Sequence, residues 1–371
     1  MTHAGGVTGL DRVTVVYPGA AVALRDVTLL AEPGELLAVL GPSGSGKSSM
    51  LRAIAGLLPV RGGRVLIDGA AAAEETGRRG VAMVFEDSHL IPFLDVAKNM
   101  SFPLDLALVP AEETRERVQE QARGLRLTRL LPRKPSTLSH GERARVGIGR
   151  ALVRAPRAFL LDEPLAHFDA GERVRMRQHL SEVVRTAGVT TFYVTHDQSE
   201  ALAIGDRVAV LNAGAVVQVA PPRVLYDEPV NTFVADFVGT APMAMLPARL
   251  VSSGGMGGYQ VGARTLPTWA PVPPGLAGYR NRSVLLGLRA EDVHERPTAD
   301  HGTLTGVVTT VELTGPHMLV GVAVGEHRLH ARFGGRTRVR PGDVVTVGVD
   351  ATRAHVFDPV TQRALVHPTV G

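Results

Sequence analysis

One short segment constrains the fold of this chain more than any other part of it. The segment is Gly41-Pro-Ser-Gly-Ser-Gly-Lys-Ser48, and it fits the pattern G-x-x-x-x-G-K-[ST]. It follows an apolar run at 36–40 and precedes a helical pattern at 47–58. Glycines let successive backbone N–H groups point inward at phosphate oxygens, and the start of the helix adds its positive end. The order of strand, loop and helix therefore predicts an α/β domain with a phosphate site at the end of a strand.

The residue types in this loop suit a nucleoside triphosphate. Lys47 is predicted to reach the β- and γ-phosphates, and the Ser48 hydroxyl is predicted to bind Mg²⁺. A glycine-rich turn is the alternative, but lysine occurs only three times in the chain, which makes a chance match rare. The predicted nucleotide-contacting residues of the loop are Gly41, Pro42, Ser43, Gly44, Ser45, Gly46, Lys47, Ser48 and Ser49.

A second motif ends another apolar strand. The run 158–161 is followed directly by Asp162 and Glu163. We predict that Asp162 holds Mg²⁺, directly or through water, and that Glu163 orients or deprotonates the attacking water. Acidic residues often finish strands, so the pair is a weak signal alone. Together with the glycine-rich loop it indicates an NTPase.

A third motif, Leu138-Ser-His-Gly-Glu142, opens a helical pattern ahead of the paired carboxylates. Ser139 and Glu142 have the S-x-x-E spacing of a capping box, in which the two residues satisfy free N–H groups at a helix start. A helix N-terminus that contains a serine and a close-approach glycine is equally suited to phosphate. Both interpretations hold for the same residues.

The remaining pattern predicts the architecture. Up to about residue 239, short apolar strands alternate with helical patterns, which favours a mainly parallel sheet covered on both faces. The predicted strands are 36–40, 158–161, 191–195 and 208–211, and the predicted helices are 47–58, 112–127, 142–154 and 171–186. From 240 to 371, short β-type runs separated by turn residues predict a smaller, all-β, barrel-like domain.

Composition excludes several classes of function. Aromatic residues make up 4% of the chain, which argues against broad stacking surfaces for single-stranded nucleic acid. Cysteine is absent, so disulfides and thiolate metal sites are ruled out. The net charge is +4 and the arginines are scattered, so no nucleic-acid partner is expected. No apolar run approaches the ~20 residues of a membrane span, and the N-terminus carries no secretion signal, so we expect a soluble chain.

With these motifs in this order, residues 1–239 resemble the nucleotide-binding subunit of an ABC transporter. The resemblance implies a P-loop NTPase cassette with a helical subdomain at about 87–156. It identifies the segment 138–142 as the family's signature, so that Ser139, His140, Gly141 and Glu142 contact nucleotide. The other matching residues are Tyr17 at adenine, Met83–Glu86 in the Q-loop, Ala166–Asp169 in the D-loop and His196 at the γ-phosphate. Glu86 is thereby expected to be both catalytic and a ligand of Mg²⁺, His196 to be catalytic, and Asp169 to contact nucleotide.

The resemblance also implies an assembly. Two ATP molecules lie in a head-to-tail homodimer or paralogous pair, each between one subunit's glycine-rich loop and the other's Ser139–Gly141 segment. Hydrolysis of ATP with Mg²⁺ drives two separate transmembrane permease subunits, which receive solute from an extracytoplasmic binding protein. The chain is then expected at the cytoplasmic face of the cell membrane as a peripheral protein.

The second domain, at 240–371, narrows the subgroup. Gly287-Leu-Arg-Ala-Glu-Asp292 resembles a motif in the C-terminal TOBE or OB-type regulatory domain of maltose and glycerol-3-phosphate importers. Importers of polyamines, iron, sulfate or thiamine carry related domains and remain open. So do a non-transport ABC ATPase and a regulatory ATP switch.

Three motifs depart from the family pattern. Glu86 replaces a glutamine, His140 and Glu142 replace a glycine and a glutamine in the signature, and Ala166 begins a D-loop of unusual sequence. If the backbone at His140 needs a positive φ, the histidine costs about 1 kcal/mol. Glu86 could still bind Mg²⁺ and would bring a second negative charge near Glu163, which predicts slow or differently regulated hydrolysis. A degenerate subunit paired with a more active paralogue is the rival interpretation.

Overall fold

The structure is a computed structural model, which describes residues 6–19, 21–74, 76–85, 89–166, 168–253, 256–268 and 270–368. The chain divides into two compact units, the first ending at Pro222 and the second beginning at Arg223. None of the helices in these described ranges has the length and apolar character needed to cross a membrane.

The described residues of the first unit form ten strands and six α-helices. Its strands are β1 (Thr8–Val16), β2 (Val22–Ala31), β3 (Leu36–Leu40), β4 (Gly62–Ile67), β5 (Ala70–Ala71), β6 (Val81–Val84), β7 (Ala158–Asp162), β8 (Thr190–Val194), β9 (Arg207–Asn212) and β10 (Ala215–Ala220). Its helices are α1 (Lys47–Ala55), α2 (Val96–Leu106), α3 (Ala111–Gly124), α4 (His140–Leu152), α5 (Ala170–Ala187) and α6 (Gln198–Ile204).

These strands form two sheets. The larger has the order β10-β9-β3-β8-β7-β6, and its neighbours are parallel except for the pair β9 and β10. The smaller is antiparallel, with the order β2-β1-β4-β5. The mainly parallel α/β sheet was predicted, and it is confirmed; the antiparallel sheet was not predicted.

Both faces of the parallel sheet are covered, which explains its fully apolar strands. In β7, Leu160 packs into a core with Met50 and Ile54 of α1 and with the antiparallel sheet. Its neighbours Phe159 and Leu161 point the other way, into a core formed with helices α2 to α6. Because adjacent side chains on a strand alternate in direction, a strand buried on both sides has no polar face.

The second unit is built mostly of strands. Its helices are α7 (Pro222–Asp227) and α8 (Thr232–Phe237), and its strands are β11 (Ala244–Ser253), β12 (Met256–Val261), β13 (Arg264–Pro267), β14 (Ser283–Leu288), β15 (Val293–His294), β16 (Gly302–Leu313), β17 (His317–Val324), β18 (His327–Gly334), β19 (Val344–Val349), β20 (His355–Phe357) and β21 (Ala364–Val366). A closed barrel joins β15-β18-β17-β16-β19, as expected for an OB-like domain. A six-stranded sheet of order β13-β12-β11-β14-β20-β21 accompanies it.

The motif at 287–292 has a structural role in this unit. Arg289 is buried, and its guanidinium lies 3.6 Å from the centroid of the Tyr226 ring. It donates to the carbonyl of Tyr226 at 2.6 Å and to that of Val238 at 2.9 Å. Arg289 therefore holds the segment 223–239 within the second unit, which begins at Arg223. The domain junction at Gly239 stays a prediction.

Candidate active site

The glycine-rich loop lies between β3 and α1, where the sequence predicts it. Gly44 and Gly46 have positive φ values of 78° and 102°. A Cβ on Gly46 would lie 2.5 Å from the carbonyl oxygen of Ala23 and 2.9 Å from a methyl group of Leu24. Glycine is therefore required at 46 for two reasons, the left-handed backbone and the close approach of β2.

Lys47 is the first residue of α1, and its ammonium turns back over the loop. Nζ donates to the carbonyl of Gly41 at 2.7 Å and to that of Pro42 at 3.0 Å. The side chain is mostly buried, and this burial lowers the pKa of Lys47, although the negative charges of Glu163 and Asp162 oppose the shift. A buried cation whose partners are neutral carbonyls is well placed to attract the negative charge of a phosphate chain.

Ser48 and Asp162 meet at the end of the parallel sheet. The Ser48 hydroxyl donates to Oδ1 of Asp162 at 3.1 Å. Oxygen ligands of this kind suit Mg²⁺, which keeps several waters and phosphate oxygens when it binds to proteins. No group of three or more His, Cys, Asp or Glu residues in the described part of the chain could hold a metal. The oxygens of Ser48 and Asp162 fit a Mg²⁺ ion whose remaining ligands would be water and phosphate oxygens.

Glu163 and His196 form the adjacent part of the site. Nδ1 of His196 lies 2.8 Å from Oε2 of Glu163, and the histidine side chain is mostly exposed. Glu163 has a φ of 48°, in the left-handed region, and its amide donates to the carbonyl of Val194 on β8. The carboxylate and the imidazole are thus held together at the mouth of the site, where a general base and a proton donor can act on one water.

An open cavity of about 440 Å³ lies over the loop. Tyr17 borders it, and its hydroxyl lies 3.0 Å from Oγ of Ser49. The cavity lining consists of Tyr17, Ala21, Val22, Ala23, Ser43, Gly44, Ser45, Gly46, Lys47, Ser48, Ser49 and Glu163. Sequence analysis did not identify 21–23, because small apolar residues at the start of a strand carry no chemical signal.

The segment 138–142 forms the start of α4. Ser139 is its N-cap and accepts from the Glu142 amide at 3.2 Å, while the Glu142 carboxylate accepts from the Ser139 amide at 2.8 Å. The predicted capping box is confirmed. Gly141 packs tightly, because a Cβ there would lie 2.8 Å from Cε1 of Phe168.

The backbone strain expected at His140 is not found in the structure. This residue is the first of helix α4, and it is not among the described residues with positive φ. The expected cost of about 1 kcal/mol depended on a left-handed backbone, so it does not apply here. Glycine is not needed at this position for conformational reasons.

The remaining predicted residues divide into two groups. Asp169 is the N-cap of α5 and accepts from the Glu172 amide at 2.7 Å; its contact with nucleotide stays a prediction. Glu86 of the Q-loop and His167 of the D-loop lie outside the described residues. The roles assigned to Glu86 therefore also stay predictions.

The glycine-rich loop and the signature segment border different cavities. Ser139, Gly141 and Glu142 line a second cavity of about 210 Å³, together with side chains of α4 and α5. Among the residues that the structure describes, this cavity shares no lining residue with the one over the loop. In the described part of one chain, the two predicted phosphate-binding segments therefore border separate cavities.

Comparison with known proteins identifies the family. Residues 24–166 match the ABC transporter family, and residues 286–357 match the TOBE domain family. The chain is 42% identical over 359 residues to the trehalose/maltose import ATP-binding protein MalK of Thermococcus litoralis, a match that covers 94% of this chain and 96% of that protein. The chain belongs to the ATP-binding proteins of ABC transporters. This ABC protein is also 41% identical to the sn-glycerol-3-phosphate import ATP-binding protein UgpC of Cereibacter sphaeroides, over 94% of its own length and 97% of the relative's.

Solved structures agree with this assignment. The dimeric cassette MJ0796 bound to ADP and Pi has a TM-score of 0.52 and 32% identity to this ABC protein, covering 58% of the chain and 99% of the cassette. CbiO1 from Clostridium perfringens, part of the transporter complex cbiONQ, has a TM-score of 0.56 and 25% identity, covering 60% and 91%. The expected cassette fold and the expected TOBE domain are both confirmed.

Proposed function

We propose that this ABC protein is the ATP-hydrolysing subunit of an importer for a carbohydrate or a glycerol-3-phosphate-type solute. The proposal is carried by one cavity that Lys47, Ser48 and Glu163 line, with Asp162 bonded to Ser48 and His196 bonded to Glu163. Relatives matched over nearly their full length, including the C-terminal domain, are import ATP-binding proteins for trehalose/maltose and for sn-glycerol-3-phosphate. Polyamine, iron, sulfate and thiamine importers remain the alternative solute classes.

In the proposed reaction, the loop 41–49 holds the phosphates through its backbone N–H groups and Lys47. Tyr17 offers a ring for stacking on adenine. Glu163 accepts a proton from the attacking water, and His196 holds that carboxylate in position and contacts the terminal phosphate. Ser48 and Asp162 would hold Mg²⁺, which supplies positive charge to neutralise the phosphate oxygens.

The proposed active form is a head-to-tail dimer. Two observations support it: the loop and the signature segment border separate cavities, and the similar cassette MJ0796 forms dimers. In such a dimer each site combines Lys47 of one subunit with Ser139 of the other. The dimer is a homodimer or a pair with a paralogue.

Mixing two inactive variants tests this arrangement. Lys47→Ala and Ser139→Ala should each abolish turnover as homodimers, because each removes one half of both sites. In a mixed dimer, one site contains both defects and the other contains neither. Random mixing should therefore restore turnover to about a quarter of the wild-type value, since half of the dimers carry one intact site of two. Absence of any recovery would contradict a shared site that turns over independently of the second site.

The proposed permease-docking surface lies beside the helical subdomain. Several large apolar side chains are exposed there, with Phe93 at 74% and Leu106 at 70%. A cavity of about 140 Å³ is lined by residues of β6, α2 and α4, including Pro103 and Arg150. Exposed apolar patches of this kind mark protein interfaces. Binding of two permease subunits here would place the protein at the cytoplasmic face of the membrane.

Steady-state ATP turnover by the purified protein tests the catalytic assignment. Lys47→Ala and Glu163→Gln should each lower kcat by at least about a hundredfold, a usual loss when a group that acts in the transition state is removed. Lys134→Ala and Glu120→Gln replace exposed residues of the same types and should retain wild-type turnover. Full activity of Glu163→Gln would exclude the proposed base.

Reconstitution in vesicles with two permease subunits and a solute-binding protein of the same organism tests the transport assignment. ATP-dependent uptake of a disaccharide or of glycerol 3-phosphate is expected, and uptake of spermidine, iron, sulfate or thiamine instead would reassign the solute. A Glu86→Gln variant in the same assay tests the effect of that carboxylate. If Glu86→Gln and the wild-type protein have the same turnover from pH 6 to 9, Glu86 does not slow or regulate hydrolysis.

A further inference from the structure

The turn that carries His196 is fixed through the residue that follows it. Asp197 caps α6, because its Oδ1 accepts from the hydroxyl of Ser199 at 2.7 Å and from the amide of Glu200 at 3.0 Å. Its Oδ2 lies 3.3 Å from a guanidinium nitrogen of Arg173, in the first turn of α5. The position of Asp197 therefore depends on both α5 and α6.

Thr195, the residue before His196, is held by hydrogen bonds to its own side chain. The Thr195 hydroxyl donates to Oε2 of Glu200 at 2.5 Å and accepts from the Asp197 amide at 3.0 Å. Glu200 is buried at 3% exposure, so its carboxyl group cannot readily move away from Thr195. The imidazole of His196 thus projects from a turn whose two flanking residues are both held by side chains.

Arg173 also reaches the D-loop. A second nitrogen of its guanidinium donates to the carbonyl of Phe168 at 3.0 Å. Phe168 is itself buried, and its ring packs against Gly141 of the signature segment. One planar side chain therefore joins the backbone beside the signature segment to the turn that carries His196.

The charges favour this bridge. Burial alone would raise the pKa of Asp197, but hydrogen bonds from Ser199 and Glu200 and the charge of Arg173 hold it below its ordinary value. The carboxylate is therefore ionised at neutral pH. The guanidinium fork presents several donors in a fixed plane, so Arg173 can hold both acceptors at once, whereas a lysine offers one point charge.

We propose that Arg173 is a positioning residue that ties the position of Phe168 to the position of His196. The inference rests on the proposed function, in which the signature segment of each subunit contacts the nucleotide of its partner. Gly141, Phe168, Arg173 and Asp197 then form an unbroken series of contacts from that segment to the catalytic pair of the same subunit. When the signature segment of a subunit closes on its partner's nucleotide, these contacts would shift His196 of the same subunit, which acts in the second site.

Turnover of Arg173→Ala measures the effect. We expect kcat to fall about tenfold and the KM for ATP to stay within about twofold, because displacement of a catalytic group by about 1 Å slows chemistry without removing binding contacts. Arg173→Lys should recover part of the loss. Arg177→Ala is the matched control, since Arg177 lies one turn further along α5 and donates to the Ser199 carbonyl at 3.2 Å, with no hydrogen bond to Asp197 or Phe168 among the described residues. Arg177→Ala should keep wild-type turnover. An equal loss in both variants would mean that Arg173 contributes only to the packing of α5 and does not position His196.

Asp197→Asn provides a second route to the same answer. The variant keeps an oxygen that can cap α6 but loses the charge that attracts Arg173, so it should reproduce the loss in kcat. The double variant Arg173→Ala/Asp197→Asn should lose no more than the larger single loss, and multiplying losses would overturn the proposal. Glu163→Gln in the same series separates the two claims. If Glu163→Gln is inactive and Arg173→Ala is fully active, the positioning role of Arg173 is wrong and the proposed function stands. If Glu163→Gln is active, the proposed function is wrong.

Discussion

A Gly46→Ala substitution probes whether the glycine-rich loop is held as closely against β2 as the structure shows. Gly46 has a φ of 102°, and the added methyl group would lie 2.5 Å from the carbonyl oxygen of Ala23. Gly44 provides a matched control in the same loop. It has a φ of 78°, but a Cβ at this position meets no atom within 4 Å.

The two sites separate two contributions to the loss of stability. At Gly44, alanine adds only the cost of a left-handed backbone, about 1–2 kcal/mol. At Gly46, the same cost applies and the methyl group must also displace a backbone carbonyl, and overpacking of this kind costs about 1–3 kcal/mol. We therefore expect Gly46→Ala to lower the free energy of unfolding by about 2–5 kcal/mol, and by about 1–3 kcal/mol more than Gly44→Ala.

Urea unfolding followed by circular dichroism measures both losses, with ATP binding measured by calorimetry on the same preparations. Gly46→Ala should also bind ATP more weakly than Gly44→Ala, because displacement of β2 moves a wall of the nucleotide cavity. Equal losses at the two positions would refute the reasoning. They would mean that the contact between Gly46 and Ala23 makes no energetic contribution.

Three further predictions follow from other parts of the structure. Tyr17→Ala should raise the KM for ATP about tenfold, whereas Tyr17→Phe should leave it near the wild-type value. Stacking on a base contributes about 1–3 kcal/mol and needs the ring rather than the hydroxyl. Equal KM values for the two variants would exclude stacking. His140→Gly should lower the free energy of unfolding by up to about 1 kcal/mol, because glycine is unfavourable in a helix. A higher free energy of unfolding in urea would instead indicate that the backbone at His140 is strained. His355 has its pKa lowered to about 3 by burial and by the nearby charge of Arg289, so stability should fall as the pH drops from 6.5 toward 3, where the unfolded chain binds a proton that the folded chain does not. His355 contributes about 1.4 kcal/mol per pH unit to the slope, so the slope should be smaller by about this amount in His355→Leu when acid unfolding of the two proteins is compared.

The parallel sheet was predictable because its strands are buried on both faces. A run such as Leu36–Leu40 has no polar residue, and few other structures suit it. The antiparallel sheet was not predictable in the same way. Its first strand, Thr8–Val16, pairs with Val22–Ala31 through three register shifts, and each shift interrupts the alternation by which a half-buried strand is recognised.

Helix α2 was also missed, for a reason that lies in its sequence. Pro103 falls inside Val96–Leu106, and proline usually marks the end of a helix. The fold compensates at the other end, where Asp95 caps the helix and the buried side chain of Asn99 bonds to 91–95. These contacts are set by tertiary structure, so a local pattern does not reveal them.

The candidate site was predictable in its residue types but not in its conformational energies. Glu163 has a left-handed backbone, Lys47 buries an ammonium against neutral carbonyls, and the buried hydroxyl of Ser45 has no hydrogen-bond partner among the described residues. Each feature costs free energy that a purely structural loop would avoid. All three border the cavity over the glycine-rich loop, or lie beside it, and the charge and hydrogen-bond acceptors of a phosphate chain would relieve the second and third. The unfavourable features therefore point to the same ligand as the sequence motif, from independent physical grounds.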